Sequence, residues 1–133
     1  MRDVVIDASA IIAVIADEPE RRLILESTVE SSLLAPASVH WEIGNAFSAM
    51  LRRRRITLEQ AQRAVMIYKE IPIRFVDVEL LDAIEVAADR GIYAYDAYLI
   101  ACADKYRAPL LTLDRGLMNA ARDSGITMVE VTS

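Results

Sequence analysis

Short apolar runs alternate with helix-like segments along almost the whole chain, and this alternation limits the fold more than any other feature. The runs occupy residues 4–6, 33–35, 73–76, 109–113 and 126–131. Each is nearly continuous in apolar residues, as expected for parallel strands that are covered on both faces. We therefore predict an α/β protein, a three-layer α/β/α sandwich whose mainly parallel sheet has about four to five strands.

Helical segments fill the intervals between the runs, and several carry recognisable end signals. They span residues 8–16, 20–31, 38–54, 57–71, 78–90, 96–106 and 117–123. Ser38 is a suitable N-cap residue for the third of these helices. Thr57 and Gln60 have the spacing of a capping box, and Gly91 suits the left-handed turn that ends a helix.

Length and composition place the chain among compact single-domain proteins. It has 133 residues, of which 54% are hydrophobic and 26% are charged. No repeat or linker divides it, so we expect one domain over residues 1–133. The longest apolar runs are far shorter than the roughly 20 residues of a membrane helix, and the first residues do not resemble a signal peptide. Because Cys102 is the only cysteine, we expect a reducing compartment and a cytoplasmic protein.

Acidic side chains fall where predicted strands end or helices begin. Asp7 and Asp114 each follow a strand, Asp96 begins a helix that it would cap, and Glu42 lies about one turn inside the helix that starts at Ser38. Ligands of open parallel sheets bind beyond the carboxyl ends of the strands. We therefore expect these four carboxylates to converge on one edge of the sheet.

Each carboxylate also has a purely structural interpretation. Asp96 could serve only as an N-cap, Asp114 as a turn residue before Gly116, and Glu42 as the partner of an arginine. Four converging carboxylates, however, would repel one another unless a cation lay between them. Oxygen ligands of this kind suit Mg²⁺ or Mn²⁺.

Several other kinds of site are excluded by residue type. His40 is the only histidine and Cys102 the only cysteine, so no zinc cluster of these residues can form. The chain contains no Walker A loop and no GxGxxG sequence, so it lacks the common phosphate-binding loops. These exclusions leave the carboxylates as the main candidate for chemistry.

The charge and the aromatic residues do not by themselves decide whether the chain binds nucleic acid. The net charge of −5 argues mildly against a polyanion. The one dense basic run comprises Arg52, Arg53, Arg54 and Arg55. It could contact RNA phosphates or could merely solvate the end of its helix. Four aromatic residues, Trp41, Tyr93, Tyr95 and Tyr98, could stack on bases, although packing in the core or in a dimer is the favoured interpretation.

Four segments together resemble a known family. They are VIDAS at residues 5–9, EIGN at 42–45, YDAYLIA at 95–101 and LTLD at 111–114. In this order, on an α/β chain of this size, they resemble the PIN-domain ribonucleases, specifically the VapC-type toxins of bacterial and archaeal toxin–antitoxin pairs. Each segment alone is a weak signal, and their combination is specific.

The resemblance implies roles for seven residues. The acidic quartet that would hold one or two divalent ions, Mg²⁺ or Mn²⁺, is Asp7, Glu42, Asp96 and Asp114. The polar residues that would support it are Ser9, Asn45 and Thr112. The implied activity is a metal-dependent endoribonuclease, in which a metal-activated water hydrolyses an RNA phosphodiester bond.

The resemblance also implies protein partners, namely an antitoxin and a second copy of the chain. The apolar side chains on the helix at 38–54 and on the next helix exceed what the sheet can cover, which favours a homodimer. An acidic toxin would also attract a basic segment of an antitoxin.

Two alternatives to this interpretation stay open. A metal-dependent phosphatase or a receiver-like domain also has acidic strand ends, but it usually needs a lysine near the phosphoryl group. Lys69 and Lys105 fall on predicted helices, and Ser9 stands where an Asp-x-Asp phosphatase would have an acid. The other alternative is a catalytically silent PIN binding module, which the complete quartet argues against.

Overall fold

Among the residues that the structure describes, the sheet is parallel throughout and has four strands. The computed structural model describes residues 1–131. The strands are β1 (Arg2–Ile6), β2 (Ser31–Pro36), β3 (Ile73–Val76) and β4 (Leu110–Leu111), in the order β3-β2-β1-β4. The α/β class and the parallel sheet predicted from the alternating pattern are therefore confirmed.

Seven helices accompany these strands within residues 1–131. They are α1 (Ala8–Ile15), α2 (Arg21–Ser27), α3 (Ser38–Arg52), α4 (Leu58–Glu70), α5 (Leu80–Arg90), α6 (Ala94–Tyr106) and α7 (Arg115–Asp123). The chain steps from β1 to β2 to β3 in one direction and then returns across the sheet to β4. Because such crossovers are right-handed, α1–α4 lie on one face of the sheet, and α5 and α6 lie on the other.

Strand β1 lies at the centre of the core. Its residues Val4 and Val5 are fully buried, and its register places Val5 opposite Leu34 on one side and Leu110 on the other. Since all four strands run in the same direction, their carboxyl ends share one edge of the sheet. That edge is where the acidic residues were expected.

Two of the three predicted helix-end signals are present. In the capping box of α4, the Thr57 amide donates to Gln60 Oε1 at 2.9 Å and the Gln60 amide donates to Thr57 Oγ1 at 3.1 Å. Gly91 ends α5 with a left-handed φ of 63°. The prediction that Ser38 caps α3 is wrong. Ala37 holds the cap position in helical conformation, so Ser38 is already the first residue of the helix.

Other predicted boundaries differ where the backbone leaves regular geometry. The helix expected at 20–31 ends at Ser27, and the helix expected to reach Arg54 ends at Arg52 because Arg54 has a left-handed φ of 54°. The strand expected at 126–131 is reduced to a single parallel bridge between Met128 and Leu110. The remaining helix ends lie within two residues of the prediction.

The structure also bears on the burial of Cys102 and on membrane-spanning helices. Cys102 is fully buried in α6, as its apolar surroundings in the sequence suggested. No helix within residues 1–131 is both long enough and apolar enough to cross a membrane.

Candidate active site

Asp7 is the buried, fixed member of the acidic quartet. It follows β1 directly, caps α1 and is only 5% exposed. Its Oδ1 accepts hydrogen bonds from Ser9 Oγ at 2.7 Å and from the Ala10 amide at 3.1 Å. Its Oδ2 accepts a hydrogen bond from Thr112 Oγ1. These three donors fix the carboxylate in one orientation.

Ser9 and Thr112 extend this network to the end of β4. Their hydroxyl oxygens lie 3.3 Å apart. The Leu113 amide donates to Ser9 Oγ, and the Asp114 amide donates to Thr112 Oγ1, both at 3.0 Å. The two hydroxyl groups therefore join the start of α1 to the backbone that carries Asp114.

Asp114 and Asp96 lie at the starts of two helices. Asp114 caps α7, where its Oδ1 accepts a hydrogen bond from the Leu117 amide at 3.1 Å. Asp96 does not cap α6, which corrects the sequence prediction, because Tyr93 holds that position and Asp96 is the third helical residue. A negative charge in the first turn of a helix is stabilised by the helix dipole.

Glu42 supplies the one buried oxygen of the quartet that lacks a hydrogen-bond partner in the described chain. It lies in the second turn of α3 and is half-buried. Its Oε2 is buried and has no hydrogen-bond partner among residues 1–131. A buried polar atom without a partner is costly, so this carboxylate is suited to a ligand.

Burial and the charges of neighbouring acids raise the pKa values of Asp7, Glu42 and Asp96. Burial, followed by the charges of Asp7 and Asp96, raises the pKa of Glu42 to about 7. Burial and then the charge of Asp114 raise the pKa of Asp96. The pKa of Asp7 is raised mainly by burial, which outweighs its hydrogen bonds, and Asp114 adds to the shift. Asp7, Glu42 and Asp96 each therefore feel the charge of at least one other member of the quartet.

The quartet fits a hydrated divalent cation better than a closed coordination shell. Within residues 1–131, no group of three or more acidic, histidine or cysteine side chains is placed so that it could hold a metal ion by itself. Mg²⁺ keeps several of its waters and takes only one or two carboxylates directly, so it does not require such a group. The free Glu42 oxygen and the mutual repulsion of the acids both favour a cation. The oxygen-only ligands suit Mg²⁺ or Mn²⁺.

Asn45 lies on the same side of α3 as Glu42, whereas the arginine run lies farther along the chain. Asn45 is exposed on α3, three residues beyond Glu42, and its side chain makes no hydrogen bond within the described chain. Arg52 is the last residue of α3, about 15 Å along the helix axis from Glu42. The following three arginines leave the helix, so the run lies at the opposite end of α3 from the quartet.

Sequence reasoning missed one candidate and misjudged others. Arg115 directly follows Asp114, is exposed and forms no ion pair in the part of the chain described. Its position beside a candidate metal ligand was the available signal. The aromatic residues Trp41, Tyr93 and Tyr95 are 68%, 87% and 48% exposed, so none of them belongs to the core, and packing in a dimer, the other part of that interpretation, stays a prediction.

Comparison with known proteins places this site in context. A family model described as the PIN domain matches residues 4–123. No curated protein matches the sequence. PAE2754 from Pyrobaculum aerophilum has a similar solved structure, with a TM-score of 0.73 and 24% identity over 96% of this chain and 83% of that chain.

Two further similar structures come from bacteria. One is VapBC2 from Rickettsia felis bound to a DNA fragment from its promoter, with a TM-score of 0.66 and 15% identity over 95% of this chain and 96% of that chain. The other is VapC20 from Mycobacterium tuberculosis, described as a sarcin–ricin loop-cleaving toxin. It has a TM-score of 0.61 and 16% identity over 88% of this chain and 94% of that chain. At these identities the likeness concerns the fold.

Proposed function

The chain belongs to the PIN domain family, and from that membership we propose that it is a metal-dependent endoribonuclease acting as the toxin of a toxin–antitoxin pair in the cytoplasm. The observation that carries the proposal is the buried, unpartnered Oε2 of Glu42 beside Asp7 and Asp96. Similar structures support it, since one is a toxin–antitoxin complex from Klebsiella pneumoniae and another is a sarcin–ricin loop-cleaving toxin.

The quartet would hold Mg²⁺ or Mn²⁺, which when bound supplies an activated water and charge stabilisation for phosphodiester hydrolysis. Asp7 contributes rigidity, because its three hydrogen bonds prevent it from turning away. Glu42 keeps one oxygen free to accept a hydrogen bond from a water at the scissile phosphate. Ser9 and Thr112 act through Asp7 and the Asp114 backbone, so they are positioning residues.

The two alternatives fit the site less well. A phosphatase or receiver-like domain needs a lysine at the acidic edge, but Lys69 lies in α4. Lys105 lies in the last turn of α6, and its Nζ donates a hydrogen bond to the Asp77 carbonyl oxygen at 2.9 Å. A catalytically silent binding module would not need four acidic side chains that repel one another. Nor would it need the buried Glu42 oxygen, which has no hydrogen-bond partner among the described residues.

We also propose two protein partners, a second copy of the chain and an antitoxin. Large apolar side chains are exposed on α4, including Leu58 at 62% and Met66 at 63%. A monomer rarely exposes a contiguous apolar face of this kind. Sedimentation at micromolar concentration is expected to give twice the chain mass of 14.8 kDa. A constant mass of one chain would contradict the dimer and leave the nuclease proposal intact.

Mapping of new RNA 5′ ends in cells tests the proposed activity. Induction of the chain without a partner is expected to produce ends at defined sites, whereas the Asp96→Asn variant is expected to produce none. Asp104→Asn is the matched control, because Asp104 is an exposed aspartate on the same helix outside the quartet. Equal patterns from Asp96→Asn and the wild type would contradict the proposal.

A further inference from the structure

Three buried side-chain oxygens have no hydrogen-bond partner among residues 1–131, and two of them lie one turn apart on α3. These two are Ser38 Oγ and Glu42 Oε2, and the third is Ser31 Oγ at the start of β2. A buried polar atom without a partner costs free energy, so folded proteins contain few of them. Two such atoms in neighbouring turns of one helix indicate that they share a ligand.

Ser38 and Glu42 lie on the same flank of α3, and this flank faces the acidic quartet. Residues four apart in a helix lie one above the other, with Cβ atoms about 5–6 Å apart. Glu42 feels the charges of two other members of the quartet. The opposite flank carries His40, whose Nδ1 lies 2.9 Å from the Tyr68 hydroxyl oxygen on α4. Ser38 is therefore on the side of the acids and not on the side of α4.

The end of β2 also places Ser38 at the carboxyl edge of the sheet. β2 ends at Pro36, and Ser38 follows two positions later as the first residue of α3. β2 pairs in parallel with β1, which Asp7 directly follows. A long side chain on a helix leans toward the helix N-terminus, so the Glu42 carboxylate reaches back over the turn that Ser38 begins. The two unpartnered oxygens therefore border the same space at this edge.

We propose that Ser38 is a positioning residue of the candidate active site, whose hydroxyl group holds one water molecule together with Glu42 Oε2. The Ser38 hydroxyl donates a hydrogen bond to the water, and the water donates one to the Glu42 oxygen. This inference rests on the proposed function, in which Glu42 accepts a hydrogen bond from a water at the scissile phosphate. It adds the residue that fixes the direction of that water.

The two oxygens meet the requirements for a bridging water. They make no hydrogen bond to each other, and each is shielded from solvent. A buried water needs roughly two to four polar partners. Ser38 and Glu42 supply two, and the water keeps one lone pair for a bound cation. The Ser38 hydroxyl is free for this role because Ala37, and not Ser38, holds the cap position of α3.

Mn²⁺ binding to matched serine variants tests the inference without relying on cleavage. Ser38→Ala removes the hydroxyl group, and Ser38→Thr retains it. Ser31→Ala is the matched control, because it also removes a buried hydroxyl that has no partner in the described chain. Ser31 lies at the other end of β2, about 16 Å from Pro36 at about 3.3 Å per residue. Electron paramagnetic resonance of free Mn²⁺ measures the affinity, and thermal unfolding in chelator measures the stability.

Ser38→Ala is expected to weaken Mn²⁺ binding by about tenfold, as is usual when a residue that orients a metal site through hydrogen bonds is removed. Ser38→Thr and Ser31→Ala are expected to keep the wild-type affinity. In chelator, neither alanine variant is expected to melt below the wild type, because each loses a buried hydroxyl that had no partner to lose. A loss of affinity without a loss of stability distinguishes positioning from a structural role.

The same substitution in the Glu42→Gln variant shows whether Ser38 acts through Glu42. If both residues hold one water, Ser38→Ala is expected to change the Mn²⁺ affinity of Glu42→Gln by less than about twofold. A loss as large as in the wild-type background would mean that Ser38 acts independently of Glu42, and it would overturn the inference.

The remaining outcomes separate this inference from the proposed function. Equal Mn²⁺ affinity in Ser38→Ala and the wild type overturns the inference and leaves the proposed function intact. An equal loss in Ser31→Ala or in Ser38→Thr also overturns it, because the effect would then not belong to the hydroxyl group of Ser38. If the wild-type chain binds no Mn²⁺, the proposed function fails and the inference fails with it.

Discussion

Thr112 donates a hydrogen bond to Asp7 across the carboxyl edge of the sheet. The two residues directly follow the paired Ile6 and Leu111, so the parallel register of β1 and β4 brings them side by side. The same Thr112 oxygen accepts from the Asp114 amide at 3.0 Å. One hydroxyl group thus links two of the four acids, and the strand register determines its place.

The Thr112→Val substitution is expected to destabilise the chain and to slow RNA cleavage. It removes a donor from a buried carboxylate and leaves the Asp114 amide without its acceptor, and a lost buried hydrogen bond costs about 1–3 kcal/mol. Denaturant unfolding measures the change. Thr127→Val is the control, because Thr127 is exposed and its side chain makes no hydrogen bond in the described residues. Equal losses in the two variants would refute the role assigned to Thr112.

Divalent cations are expected to raise the melting temperature of the wild-type chain. A bound ion relieves repulsion among the acids, and any ligand that binds only the folded state stabilises it. In chelator, the Asp96→Asn variant is expected to have a higher melting temperature than the wild type, because it lacks one of the repelling charges. Mg²⁺ is expected to raise its melting temperature less than that of the wild type. Thermal unfolding with and without Mg²⁺ decides. The prediction is contradicted if neither Mg²⁺ nor Mn²⁺ raises the melting temperature of the wild-type chain.

In chelator, the stability of the chain is expected to fall as pH rises through about 7. The pKa of Glu42 is raised to about 7, mainly by burial and then by Asp7 and Asp96, from an ordinary value of 4.5. Its contribution is therefore fully present below pH 4.5 and is lost as the group ionises in the folded state. Unfolding across this range should show a weaker pH dependence in Glu42→Gln. An identical pH dependence in both proteins would contradict the raised pKa.

Neutralising Arg53 and Arg54 is expected to weaken RNA binding and to flatten its salt dependence without changing folding. The run is exposed at the far end of α3, so it would contact an RNA strand that extends beyond the acidic quartet. The control is Arg90→Gln/Arg107→Gln, because Arg107 shares the left-handed conformation of Arg54. If both pairs leave the salt slope unchanged, the run only solvates the end of its helix.

The fold could be predicted from the sequence because its signals are local. Continuous apolar runs and the Thr57–Gln60 capping box do not depend on distant residues. The Ser38 cap was mispredicted because β2 runs almost directly into α3, which leaves Ala37 already helical. The last strand was overestimated because β4 is only two residues long and offers little to pair with.

The acidic residues of the candidate site could be predicted from the sequence, but their hydrogen bonding could not. Asp7 could be located because it directly follows β1, and Asp114 because it lies within three residues of the end of β4, and ligands bind beyond these ends. Which oxygen is left without a partner depends on packing that joins residues far apart in sequence, as with Glu42. The exposure of Tyr93 and Tyr95 likewise depends on how α6 meets its neighbours, and an aromatic residue in a sequence does not reveal it.

Cleavage of RNA by the purified chain tests the central claim most directly. The comparison is between the wild type, Glu42→Gln, Asp7→Asn and the exposed control Glu59→Gln, each with Mg²⁺ or Mn²⁺ and with chelator. We expect cleavage by the wild type and by Glu59→Gln only when the ion is present, and none by Glu42→Gln or by Asp7→Asn. Cleavage that persists in chelator, or in Glu42→Gln at the wild-type rate, would contradict a metal-dependent acidic site.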